Sequence, residues 1–175
     1  MSMLDGRRAE AYGAGMRILG IDPSIRCTGY GVLEVAGGRV QAVAFGSLPI
    51  AARVSQPQAL AEIARGLREV IARHQPDEAA IEAIIYAQSF KTAIVMGSAR
   101  GAALVAVAEA GLPVVEYPSR LVKKAATGLG GARKEQVGFM IRALLGLTAT
   151  PDADAADALA VALTHVQHRK LAAAR

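Results

Sequence analysis

The apolar positions of the chain change period several times, and each change marks an element. Arg17 to Ile21 reads as a short buried strand, and the run of Thr28, Tyr30, Val32 and Val35 as a second. Gly37-Gly38 predicts a hairpin turn, with a third strand over Val40 to Leu48. Leu60, Ile63, Leu67, Val70 and Ile71 then fall at helical spacing, so a helix runs to about His74. Pro76-Asp77 breaks that pattern before the apolar run Ala79 to Ile85, a fourth and buried strand. A second long helix is expected over Thr92 to Ala110, where Gly97 and Gly101 are small enough to permit close packing. Val114 to Tyr117 forms a fifth strand, and Pro118 suits the first turn of a short helix. Two more helices follow, about Lys134 to Leu145 and Asp154 to Lys170. Three strands in a meander followed by alternating helices and strands predict an α/β fold, a five-stranded mixed sheet with helices on both faces. One domain is expected over residues 16–175. Met1 to Gly15 lacks a period and the apolar centre of a signal peptide, and is expected to be a disordered N-terminal extension.

Composition narrows the class. Hydrophobic residues make up 53% of the 175 positions and charged residues 20%, which excludes a disordered chain. The formal net charge of +5 favours a polyanionic partner, nucleic acid first, although spare surface lysines account for it equally well. Cys27 is the single cysteine, so an intrachain disulfide and a four-cysteine zinc site are excluded. A lone cysteine fits a reducing compartment, and the expected location is cytoplasmic. No apolar run looks long enough to cross a bilayer.

The acidic residues carry the chemistry. Asp22 ends the first strand in Gly20-Ile21-Asp22-Pro23-Ser24, and strand C-termini face the ligand crevice in sheets covered by helices. A turn-forming acid before proline accounts for it too. Glu82 interrupts Ala79-Ala80-Ile81 and Ala83-Ile84-Ile85, where an ionised carboxylate costs several kcal/mol unless it is paired or metal-bound. A basic partner or a wet edge strand is the structural alternative. Asp154-Ala155-Ala156-Asp157 sets two carboxylates on one helical face. An N-cap with an acidic first turn explains one of them and leaves the other in an apolar run through Leu159, Val161 and Leu163. Asp152 reads as a simple turn acid. Three or four oxygen ligands at one sheet end select magnesium (Mg2+) or manganese (Mn2+) over zinc. Two such ions about 4 Å apart can activate water and stabilise the leaving oxygen of a phosphodiester.

Gly20-Ile21-Asp22-Pro23 followed by Thr28-Gly29-Tyr30-Gly31 resembles the opening of the RuvC family of bacterial Holliday-junction resolvases. Gly97-Ser98-Ala99-Arg100-Gly101 resembles the family's second-helix motif. So do Glu116-Tyr117, Val122-Lys123, Gly128-Leu129-Gly130 with Lys134 and Gln136-Val137, and Asp154-Ala155-Ala156-Asp157-Ala158-Leu159-Ala160. The resemblance runs in order from about Arg17 to His165. It implies the ribonuclease H-like fold, with Asp22, Glu82, Asp154 and Asp157 as four catalytic, metal-binding acids and two ions per subunit. It further implies a homodimer that nicks a four-way DNA junction symmetrically, leaving 5′-phosphate and 3′-hydroxyl ends, with branch-migration proteins as partners. Two positions depart from the pattern. Ser24 stands where members often carry glycine, and Ile85 stands where the family usually supplies a base-stacking phenylalanine. Tyr86 or Phe90 can take over that stacking role, since any flat ring offers a face.

The basic residues are less specific. Lys123 and Lys124 precede Thr127-Gly128-Leu129-Gly130-Gly131, and Arg133 and Lys134 open the next helix. Such a turn can present backbone N–H groups to phosphate, or it can be an ordinary solvated turn. The resemblance assigns Lys123 and Lys134 to DNA phosphates beside the cleft. Arg100 is expected to serve packing or dimer contacts, and His165 and His168 to lie at the surface. Two other classes compete: a non-catalytic junction scaffold, for which clustered acids near phosphate bring no gain, and an actin-like ATP-binding domain. The second begins with a similar strand and hairpin but needs further phosphate loops and a second related domain.

Overall fold

The structure, a computed structural model, describes residues 15–84 and 89–173. Five strands form one sheet: β1 (Met16–Asp22), β2 (Cys27–Ala36), β3 (Arg39–Pro49), β4 (Glu78–Ala83) and β5 (Val114–Pro118). Five helices follow the same chain order: α1 (Gln56–His74), α2 (Phe90–Glu109), α3 (Ser119–Thr127), α4 (Lys134–Leu144) and α5 (Ala153–Ala173). The spatial strand order is β3-β2-β1-β4-β5. β1 and β2, and β2 and β3, pair antiparallel, whereas β4 lies parallel to both β1 and β5. Gly37 and Gly38 make the hairpin turn, both at positive φ (55° and 80°), which matches the right-handed twist of the strands they join.

Two cores cover the two sheet faces, set by the period-2 alternation of the central strand. Leu19 and Ile21 point to one face, where α1 supplies Ile63, Leu67 and Ile71 and α2 supplies Ala103 and Val107. Met16 and Ile18 point to the other, where Val122 of α3, Ile141 of α4 and Leu159 of α5 bury them. On this second face glycine lets a helix backbone touch the sheet. A Cβ on Gly20 would stand 2.1 Å from the Ala158 carbonyl oxygen, and one on Gly29 would stand 2.0 Å from that of Asp154. The family-like glycines of β1 and β2 therefore set the depth of α5, and with it the position of its first-turn acids.

Several boundaries and faces differ from the sequence reading. β4 stops at Ala83 instead of running to Ile85, because its last ladder partner is Pro118, which has no N–H to extend the pairing. Ile84 is half-buried outside the strand, and Ile85 lies outside the described residues, as does the extension up to residue 14. Pro118 ends β5 and caps α3 from outside instead of entering its first turn. Gly97 and Gly101 admit no close neighbour: a Cβ at either would meet nothing within 4 Å, since α2 turns these residues away from the sheet. By length and composition α2 could span a bilayer, contrary to expectation. It packs on α1 and buries Ala99, Ala103, Ala106 and Val107 in the sheet core.

Candidate active site

Ile21 of β1 lies opposite Ile81 of the parallel β4. The next residues, Asp22 and Glu82, therefore leave adjacent strands at the same sheet end, on the face that α5 covers. The start of α5 is capped by Asp152, whose carboxylate accepts the Ala155 N–H at 3.0 Å and the Ser47 hydroxyl at 2.5 Å. Asp152 thus does the helix-terminus work that Asp154 was a candidate for, which leaves Asp154 and Asp157 available to the site. Asp154 is further held by its backbone against Gly29 and by the Cys27 thiol. Burial, then hydrogen bonding to Asp154 and its charge, raise that thiol to about 11. Cys27 is consequently a protonated donor here and not a nucleophile.

The acids share one field. Burial, followed by the charges of Asp157 and Glu82, pushes the Asp22 carboxyl from its ordinary 3.8 up to about 7, with Lys134 pulling the other way. Burial also raises Glu82, opposed by a hydrogen bond with Ser119 and by the charges of Lys134 and Lys123. Lys134 Nζ sits 2.8 Å from Asp157 Oδ2, and that hydrogen bond raises the lysine's own pKa. Among the described residues, no three His, Cys, Asp or Glu side chains stand close enough together to hold a metal ion as they are. The donor set nevertheless fits divalent cations: hard oxygens, mutual repulsion that only positive charge relieves, and an ammonium standing within the cluster. A cleft of about 370 Å³ opens beside it, lined by Asp22, Pro23, Glu82, Met96, Ser119 and Arg120.

Other expected contacts fall differently. Phe90 opens α2 and is 91% exposed, whereas Tyr86 lies outside the described residues. His165 is buried, contrary to the surface expectation. The ring of His165 bridges the Tyr117 hydroxyl (2.9 Å, Nδ1) and Glu78 Oε2 (2.7 Å, Nε2), and Arg169 also pairs with Glu78. This network sits at the opposite end of β4 from Glu82. His168 stays exposed, its ring against Tyr117. Arg100 pairs with Glu116 of β5, a packing role. Sequence reasoning missed Ser119 and Arg120; their one signal was their place directly after Pro118, where a strand hands over to a helix at the acidic sheet end.

The family model for crossover junction endodeoxyribonuclease RuvC matches residues 18–165. The chain belongs to the RuvC family. It is 52% identical over 151 residues to crossover junction endodeoxyribonuclease RuvC of Akkermansia muciniphila, covering 86% of this chain and 90% of the relative. With the Azorhizobium caulinodans protein of the same name it shares 46% over 160 residues, 91% and 95% of the two chains. Among solved structures it is similar to Thermus thermophilus RuvC in complex with Holliday junction substrate (TM-score 0.83, 35% identity, 90% and 96% coverage). The yeast mitochondrial Holliday junction resolvase shares the fold at 15% identity and a TM-score of 0.57. The five-stranded mixed sheet is thus of the ribonuclease H-like kind, and as a RuvC-family nuclease the chain depends on divalent metal.

Proposed function

We propose that the chain is a crossover junction endodeoxyribonuclease that resolves four-way DNA junctions by paired symmetric nicks, with Asp22, Glu82, Asp154 and Asp157 holding two magnesium ions, for which manganese can substitute. The observation that carries this reading is that Asp22, buried at the end of β1, shares one electrostatic field with Asp157, Glu82 and Asp154, whose charges add to burial in raising its carboxyl. When bound, such ions supply Lewis acidity at the phosphate and lower the pKa of the attacking water. The protein's own part is positional. β1 and β4 fix Asp22 and Glu82 side by side, and the glycine-seated α5 fixes Asp154 and Asp157. Lys134 neutralises Asp157 before metal arrives and lies where the phosphate's charge must be met. Lys123, already acting on Glu82, meets the DNA backbone. Phe90 or Tyr86 offers a ring for base stacking at the junction centre.

A two-fold substrate calls for two sites. The exposed face of α2 presents Phe90, Ile94, Gly97, Gly101 and Val105 at helical spacing, a stripe on which a second copy can pack to form the homodimer. One nuclease domain over residues 16–175, a cytoplasmic location and partnership with branch-migration proteins complete the reading. Incubation with a synthetic four-way junction, with and without magnesium, followed by mapping of each strand, tests it. The expected products are symmetric nicks with ligatable 5′-phosphate and 3′-hydroxyl ends. Junction binding with no cleavage in either magnesium or manganese would favour a scaffold.

A further inference from the structure

We propose that Arg120 is a phosphate-contacting residue of the cleavage site, aimed by Gly130; the inference rests on the endonuclease reading above. Arg120 is the second residue of α3 and lines the same cleft as Asp22 and Glu82. It is exposed and has no carboxylate partner among the described residues, whereas Arg17, Arg68, Arg100 and Arg169 each hold one. The two lysines near the site bear on the acids themselves. Lys134 is paired with Asp157, and the charges of both lysines act on Glu82. A DNA strand that brings one phosphate to the acids carries its neighbouring phosphates along the cleft wall, where Arg120 stands with no carboxylate partner among the described residues.

The glycine-rich turn supplies the second half of the argument. A Cβ on Gly130 would stand 2.7 Å from Arg120 Cγ and 3.2 Å from both its Nε and its carbonyl oxygen. The bare Gly130 backbone therefore lies along the arginine stem, and any side chain there must displace it. A stem held in this way loses less rotamer freedom when the guanidinium binds, and its planar fork matches two phosphate oxygens at once. The turn thus acts by seating an arginine, in addition to whatever its N–H groups offer.

The test measures junction binding in EDTA across a salt series, together with cleavage kinetics in magnesium, for the parent, Arg120→Gln, Arg120→Lys and Gly130→Ala. Arg120→Gln should reduce the slope of log binding constant against log salt by about one. It should also raise KM about tenfold, more than it lowers kcat. Arg120→Lys should restore the slope but only part of the KM, because charge survives and the fork does not. Gly130→Ala should raise KM alone and add little on top of Arg120→Gln. A slope and KM unchanged in Arg120→Gln would overturn the proposal. A parent that never cuts junctions would overturn the endonuclease reading instead, while the salt slope in EDTA would still decide the arginine contact.

Discussion

Replacing Asp22 with asparagine should abolish cleavage and, at the same time, stabilise the metal-free protein. The carboxyl titrates at 3.8 in an ordinary setting and at about 7 in the fold. A folded-state pKa above the unfolded one means that the native protein binds more protons between those values. Stability therefore falls as pH rises from about 4 to about 7, and the loss is complete above 7. At about 1.4 kcal/mol per pKa unit the penalty is about 4 kcal/mol. Its cause is burial of the charge, then repulsion by Asp157 and Glu82; asparagine carries no charge and escapes both while nearly keeping the shape. Urea denaturation in EDTA at pH 5 and pH 8 measures it. The Asp22→Asn protein should exceed the parent by about 2 to 4 kcal/mol at pH 8, with the gap shrinking towards pH 4. Magnesium should raise the parent's stability at pH 8 by about 2.7 kcal/mol at a hundredfold excess over its dissociation constant, and raise the variant's much less. A variant no more stable than the parent at pH 8, with no narrowing at low pH, would refute the idea that burial and neighbouring charge penalise the ionised Asp22.

The remaining expectations concern the parts that hold the acids. Gly29→Ala would drive a Cβ to 2.0 Å from the Asp154 carbonyl. Differential denaturation should show a loss of about 1–3 kcal/mol, and kcat should fall about 100-fold as α5 shifts. Lys134→Ala removes the cation from Asp157, so magnesium titration should show about fivefold tighter half-saturation, about 1 kcal/mol of lost competition at a pair whose lysine is exposed, alongside a lower kcat in single-turnover cleavage. Burial opposes ionisation of Glu78, but hydrogen bonds with His165 and Arg169 outweigh it and hold the carboxyl down at about 2. Stability from that group is full above the ordinary 4.5 and is lost as pH falls towards 2. Glu78→Gln should therefore flatten the acid limb of the stability curve in urea titrations while junction cleavage at pH 8 changes less than about twofold, because the network is remote from the acids.

Periodicity carried the sheet and the helices because each strand and helix buries one clear stripe. The Gly37-Gly38 turn was legible from its two residues alone. Asp22, Glu82, Asp154 and Asp157 were legible as candidates because each violates a local rule, an acid at a strand end or within an apolar run. What stayed hidden was long-range. Nothing near Asp152 announces Ser47, 105 positions earlier in the chain, so the cap was offered to Asp154 instead. His165 read as a surface residue because its partners, Tyr117 and Glu78, come from two strands distant from α5 in the chain. Gly97 and Gly101 have the right size for close packing, but their direction depends on which side of α2 meets the sheet, and a helix rich in alanine and valine leaves that side undecided. The end of β4 was overrun for a similar reason: apolar composition continues through Ile85, while the hydrogen-bond ladder ends at Pro118 on the neighbouring strand.

The central claim is that acids from two strands and one helix form a single site for divalent cations. Anomalous diffraction from crystals soaked in manganese tests it most directly. Ion density is predicted between Asp22, Glu82 and Asp157, with the Lys134 ammonium moved off the Asp157 carboxylate that it contacts at 2.8 Å. Crystals at saturating manganese with no density among these side chains, and the lysine still seated on Asp157, would contradict it.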